Sequence, residues 1–370
     1  MKGLINKIVI SACFVLSVTT ASFVQAQVPD FDPEALDISE FLKAGSQDAS
    51  TLMGQYLNPV FRGFGFGANG GWYNTAAAHK SLGFDLTVSV MMAQAPESDY
   101  FFEYLQSNYS DNLSLLSGDP MNGSTVFGDP NTTWVMQSTV SDPNGIIPDV
   151  STSFSAPPGI DYDDLGIADA RGLVPFVMVQ GGIGLFKNTD LKIRWMPKME
   201  FDVGGTPFSA EMLGLGIMHD IKQWIPGIKH VPIDISALVG YNRIKSVIGL
   251  ESDAPGSIQG ENQEGEFSIN SFTYQLVVSK KLSILTIYGG GGYSTASTDL
   301  KVTGTYEIED SGNDLLPPVV LTDPVNENFK SDGWRGSLGL RLQLAIVTLH
   351  ADYTFQEYNM LTAGLGISIR

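Results

Sequence analysis

Residues 361–370, LTAGLGISIR, alternate without a break: Leu361, Ala363, Leu365, Ile367 and Ile369 share one face, and Thr362, Gly364, Gly366 and Ser368 share the other. A period of two marks a strand with one apolar side. The edge of such a strand needs a partner, and for a terminal strand the usual one is the first strand of a closed barrel. The pattern continues upstream. Val347, Leu349, Ala351, Tyr353 and Phe355 oppose Thr348, His350, Asp352, Thr354 and Gln356, while Leu338, Leu340, Leu342 and Leu344 oppose Ser337, Gly339, Arg341 and Gln343. Three such strands with tight connections make an antiparallel meander.

Composition decides which side faces what. Charged residues are 16% of the chain, against roughly 25% in ordinary soluble domains. The polar faces carry Gly, Ser, Thr, Asn and Gln where a soluble exterior would carry Lys and Glu, so the apolar faces point outward, into lipid. On that reading Leu340→Arg should be costly and an inward Gly339→Arg milder. The formal charge of −19 excludes nucleic acid as a natural partner. No stretch beyond the N-terminus reaches the 18 or more apolar residues of a membrane helix, so any crossing must use strands.

The N-terminus reads as a secretory signal peptide over residues 1–26. Lys2 and Lys7 precede the apolar run Ile8 to Val18, and Val24-Gln25-Ala26 is a small-residue cleavage site. Ile10-Ser11-Ala12-Cys13 resembles a lipoprotein box, but the apolar run continues through Phe14, Val15 and Leu16, which favours cleavage after Ala26. Cys13 is the single cysteine, so the mature chain would have no disulfide framework.

Residues 27–60 have a different rhythm. Ile38, Leu42, Gly45, Ala49, Leu52, Met53 and Tyr56 recur at helical spacing, with Ser39 as N-cap, a break at Gly45 and a stop at Asn58-Pro59. Leu42, Leu52, Met53 and Tyr56 are candidate plug residues at the periplasmic entrance, because leaving such side chains exposed forfeits about 1.5–3 kcal/mol each. Phe176, Met178, Leu238 and Met91 fall on inward faces and could receive them.

Residues 61–370 read as the barrel. Phe64, Phe66, Ala68, Gly70 and Trp72 alternate with Gly63, Gly65, Gly67, Asn69 and Gly71 as a first strand, and Leu82 to Met92 forms a second. Further strands lie at 173–186, 191–202, 209–220, 232–242, 268–279 and 283–296. Eleven are visible in all, and closed bacterial barrels are even-numbered, so about twelve are expected, within a range of ten to fourteen. The long segments 93–170, 243–265 and 297–333 are the expected extracellular loops. Trp72, Trp195, Trp224, Trp334, Tyr241, Tyr353 and Tyr358 lie near strand ends, as interfacial girdles require.

No catalytic spacing is present, and neither an enzyme activity nor a cofactor is expected. His350 and Asp352 share a face but lack a nucleophile motif. The acidic residues Asp161, Asp163, Asp164 and Asp169 lack the spacing of a calcium loop, so no metal site is assigned. Lys192, Arg194, Lys198, Glu200, Asp202, Arg341, His350 and Asp352 are assigned to the lumen, since a charge facing the lipid midplane would cost roughly 2–4 kcal/mol.

The helix, then NPVFRGFGFGANGGWYNTA (58–76), HKSLGFDLTVSV (79–90), GLFKNTDLKIRWMPK (184–198) and HDIKQWIPGIKHVPIDIS (219–236) resemble an uncharacterised family of outer-membrane β-barrels of Bacteroidota-type bacteria. The architecture is also distantly similar to the fatty-acid and aromatic-hydrocarbon transporter barrels. The chain departs from the common aromatic ending in carrying Arg370. The resemblance implies a secreted outer-membrane barrel with lipid as its partner. Two functions are expected of it: passage of small solutes, hydrophobic ones included, with residues 27–60 as hatch, or a non-transporting surface protein whose loops bind a partner or matrix.

Overall fold

The computed structural model describes residues 39–132, 134–140, 150–162, 170–203, 206–250, 259–308 and 319–369. The expected signal peptide and the acidic residues Asp163, Asp164 and Asp169 lie outside them. Ten strands close into a ring: β1 Phe84–Gln94, β2 Leu173–Gly184, β3 Thr189–Val203, β4 Thr206–Asp220, β5 Asp234–Gly249, β6 Glu264–Leu282, β7 Leu285–Thr303, β8 Gly333–Leu344, β9 Val347–Phe355 and β10 Met360–Ile369. Each pairs antiparallel with the next, and β10 returns to β1 from Phe84↔Ile369 to Ala93↔Met360. The number is even, as closure requires, and two below twelve.

One of the expected strands is a helix. α1 Ser39–Leu42 and α2 Ser46–Ala68 meet at Gly45, whose φ of +85° only glycine adopts without strain. α2 runs through Pro59 and through the Phe/Gly alternation at 63–67 that reads as a strand. Glycine costs about 1 kcal/mol each in a helix and proline about 3, so local preference opposes this conformation. Tertiary fit overrides it. A Cβ on Gly63 would lie 2.5 Å from a methyl of Val174, one on Gly67 3.0 Å from Phe176, and one on Gly65 3.2 Å from the Ala296 Cβ. The helix passes between β2 and β7 only where it has no side chains. Phe64 stacks on Phe267 and Phe66 on Tyr358, at right angles to that passage.

The ring has two unlike ends. Short connections at 185–188, 283–284 and 345–346 mark the turn end, where β10 also finishes, and the described parts of 95–172 and 304–332 cover the loop end. Strands β3 to β7 have 15–19 residues, more than the roughly 9–11 that cross a bilayer. On β6 the outer face changes accordingly, from Phe272, Tyr274, Leu276 and Val278 to Glu264, Glu266, Ser268 and Asn270 toward the loop end. This tall half-wall stands above the apolar band.

Apolar residues face out all round. Leu338, Leu340, Leu361, Leu365 and Ile367 are exposed, whereas Arg341, His350, Asp352, Thr362 and Ser368 are buried inside. The interior is packed rather than wet, which changes one expectation. A Cβ on Gly339 would sit 2.5 Å from both the Asp352 Cβ and the Tyr288 ring, so Gly339→Arg should be no milder than a lipid-face change. Leu340→Arg and Leu365→Arg are each expected to cost about 2–4 kcal/mol, lowering the temperature at which the compact band is lost on gels. Trp195, Trp224 and Trp334 are exposed on the outer surface, as an interfacial girdle would need, while Trp72 and Tyr358, expected in the same girdle, are buried within.

Candidate functional site

Residues 39–80 thread the ring from end to end, and the wall holds them at three levels. At the loop end, Arg62 donates to Asp99 at 3.0 Å and to the Lys330 carbonyl at 3.1 Å, and pairs with Glu357 at 2.6 Å. Its guanidinium lies over the Tyr358 ring, whose hydroxyl donates to Asp99 at 2.5 Å. Burial works against the Arg62 cation, yet Glu357, Tyr358 and Asp99 hold its pKa above the ordinary arginine value.

The middle level is the C-terminus of α2. A helix ends in carbonyls without intrahelical partners and a partial negative charge, and here the barrel wall supplies the cap. Arg194 donates to the carbonyls of Ala68 at 3.1 Å and Gly70 at 2.6 Å, and to Gln180 Oε1 at 3.0 Å and Asn242 Oδ1 at 3.3 Å. Asn242 donates to Ala68 at 2.8 Å and Arg335 to Asn69 at 2.8 Å. The Arg194 guanidinium lies 3.6 Å from the centre of the Trp72 ring. Against Trp72 stand Gly216 of β4 and Gly240 of β5, paired directly with each other. A Cβ on either would come within 2.5 Å of the indole, so both positions must be glycine for the ring to lie flat on the wall. Beside it a cavity of about 10 Å³, lined by Asn69, Trp72, Arg335 and Asp352 among others, has room for about one water.

Toward the turn end, the Tyr73 hydroxyl meets Gln275 at 3.0 Å and Ser337 at 2.6 Å, and Ser236 donates to the Ala76 carbonyl at 2.7 Å. Last comes His79, with Nδ1 2.9 Å from Asp190 and Nε2 3.4 Å from both Asp85 and Ser368. His79, Asp190 and Ser368 are almost completely buried. They pin the thread where it turns into β1.

The residues assigned to the lumen divide into two groups. Lys192, Arg194, Arg341, His350 and Asp352 are buried inside. Lys198 and Glu200 are not: their side chains are 58% and 71% exposed and pair with each other at 2.7 Å. A register shift between Met196 and Met199 sets Met199 opposite the inward Ala210. One extra residue inverts the side-chain parity beyond it, and the charges stand outside, above the apolar band. The side chain of Asp202 lies outside the described residues. His350 and Asp352 do not form a pair; Asp352 accepts from the Tyr288 hydroxyl at 2.8 Å, and His350 Nε2 lies 3.4 Å from Ser89.

Leu42, Leu52, Met53 and Tyr56 are all buried, but at the loop end rather than at the periplasmic entrance. The Tyr56 hydroxyl donates to the Pro158 carbonyl at 2.9 Å, and the Val126 amide donates to the Tyr56 carbonyl. Leu52 is fifteen residues before Gly67, so about 22 Å along the helix from the contact with Phe176, and it does not reach Met178. The sequence reading expects Trp72 in an interfacial girdle and gives Arg335, Asn242, His79 and Asp190 no role. The glycines of LGLGI and LVGYN, at inward positions of regular strands, are the signal that could have pointed to a close approach there. Among the described residues no group of three or more His, Cys, Asp or Glu gathers to hold a metal.

Ring closure, the outward apolar band and the threaded lumen define a plugged β-barrel of the outer-membrane type. The chain belongs to the family of unknown function DUF6588, whose model matches residues 1–369. None of the curated proteins matches it. Among solved structures it is similar to the translocator domain of the autotransporter NalP from Neisseria meningitidis, with 12% identity over 79% of this chain and 90% of that one and a TM-score of 0.28. The open form of the ferric-catecholate import receptor Fiu from E. coli K12 has 10% identity over 78% of this chain and 60% of its own, with a TM-score of 0.27. A Pseudomonas aeruginosa FadL homologue has 9% identity over 88% and 93%, with a TM-score of 0.19.

Proposed function

We propose that the protein is an outer-membrane transporter for small hydrophobic solutes, with residues 39–80 as its hatch and a split in the wall between β2 and β3 as its side exit. The split carries the reading. β2 and β3 pair only over five positions, from Gln180↔Arg194 to Gly184↔Asp190. Beyond these, β2 goes on through residues 173–179 against β1, and β3 through 195–203 against β4. Unpaired strand edges at membrane depth are tolerated only where protein or a cavity covers them. α2 stands behind this one, with Gly63 against Val174 and Gly67 against Phe176.

The margin suits an apolar solute. Phe176, Met178, Met196 and Met212 face inward along it, and methionine adapts its shape to irregular apolar partners at little cost. Loss of the α2 contact would join the lumen to the lipid through this margin.

The runner-up reading, a surface protein anchored by a sealed barrel, draws on the loop end, where Phe102, Tyr104, Tyr109 and Trp134 form an aromatic cluster over α2. Uptake separates the two. Intact cells carrying the protein should take up N-phenylnaphthylamine, a small fluorophore that brightens in lipid, faster than cells without it. Met178→Trp with Met196→Trp should fill the margin and abolish the gain. Equal uptake with and without the protein would overturn the transporter reading and leave the anchored surface protein.

A further inference from the structure

The thread runs in one direction, and its direction assigns a side of the membrane to its start at Ser39. His79 sits at the turn end with Asp190 and Ser368, and Trp72 beside the Gly216–Gly240 pair. From there α2 climbs along β2, Gly67 meeting Phe176 and Gly63 meeting Val174. Tyr56 reaches Val126 and Pro158 in the loop region. Asp48 accepts from the Ser110 amide at 2.8 Å and from its hydroxyl at 2.6 Å, and Phe41 is buried against Tyr56. Ser39, where the described thread begins, therefore lies at the loop end.

We infer that the protein presents the start of its thread, from Ser39 into the first turns of α2, on the outside of the cell, having passed it through the barrel that the rest of the thread then plugs. This rests on the outer-membrane orientation of the proposed function, with long loops outside and short turns inside. Once α2 and residues 69–80 occupy the ring, a return path is closed. The wall touches the thread on opposite sides, at Val174 and Ala296, and the space beside Trp72 is about 10 Å³, too small for a second strand of chain. Helix polarity agrees with the direction of threading. The negative end of α2 lies in the lumen, where Arg194 and Arg335 meet it.

The inference also restricts how the hatch opens. A pull from inside the cell on the start of the thread is excluded, because Ser39 lies at the loop end. Displacement must start at the loop end, through Arg62 and its partners, or by local movement of α2 away from β2.

Single cysteines in a Cys13→Ser chain test the inference with a membrane-impermeant maleimide on intact cells. Ser46 and Gln47 are exposed at the start of α2, Met121 is exposed in the loop region, and Lys281 is exposed at the turn end. Ser46→Cys, with Gln47→Cys as the alternative should it fail to assemble, is expected to label as fully as Met121→Cys. Lys281→Cys should label only after the outer membrane is permeabilised. If Met121→Cys labels while both α2 positions stay silent until permeabilisation, the inference is overturned and the orientation stands. If Lys281→Cys alone labels on intact cells, the orientation fails, and with it both readings.

Discussion

A disulfide between Gly65→Cys and Ala296→Cys will stop uptake of an apolar fluorophore, and reductant will restore it to the level of the unmodified protein. The Cβ positions lie 3.2 Å apart, close to the roughly 3.5–4.5 Å that a disulfide spans; the new Cβ would also lie 2.5 Å from the Ser331 hydroxyl oxygen, so Ser331 must shift for the bond to form. Position 65 is central to the proposed motion, since α2 must leave β2 for the lumen to reach the wall split. The link ties α2 to β7 on the opposite side. Uptake that continues unchanged with the bond formed would show that α2 does not move during transport, and the hatch would then be a fixed brace.

Arg194→Met is expected to be the most damaging single lumen change, costing about 3 kcal/mol. Four acceptors lose a donor, the Ala68 carbonyl keeping Asn242, and the Gly70 carbonyl is left buried without one; a buried acceptor left unsatisfied costs roughly 1–3 kcal/mol. Trp72 loses the cation over its ring at the same time, a contact worth up to about 2 kcal/mol when desolvated. Removing the penalty of burying the cation offsets part of this sum. Arg194→Lys should recover little, because one ammonium cannot span acceptors that a planar fork reaches together. The midpoint of urea unfolding, followed by the heat-modifiable band, measures the effect. A shift of under about 0.5 kcal/mol would mean that the capped helix end contributes little, since surface changes have effects of that size. Ion conductance should rise in the same variant if the thread loosens.

Much of the barrel was legible because the period of two survives wherever one face meets lipid. β8, β9 and β10 were read with their faces correctly assigned, and inward Arg341, His350 and Asp352 followed from parity alone. The reading failed where parity was interrupted. The register shift after Met196 is marked in RWMPKME by Pro197, which cannot donate to a ladder and so favours a bulge, but parity was carried straight across it and Lys198 and Glu200 were placed inside with Arg194. It failed again at Gly63 to Gly67, where a real alternation of Phe and Gly has another cause. Those glycines clear a path past Val174, Ala296 and Phe176, and that requirement belongs to neighbours more than a hundred residues away.

Composition and the alternating strands by themselves determined an antiparallel barrel with its apolar side in lipid, because contact with a uniform solvent leaves a repeating trace along the chain. The path of residues 39–80 through the lumen, the arginine cap on α2, the flat seat of Trp72 and the parting of β2 from β3 were decided only by the closed structure. Each depends on which distant residues ring closure brings face to face, and that pairing has no period to read.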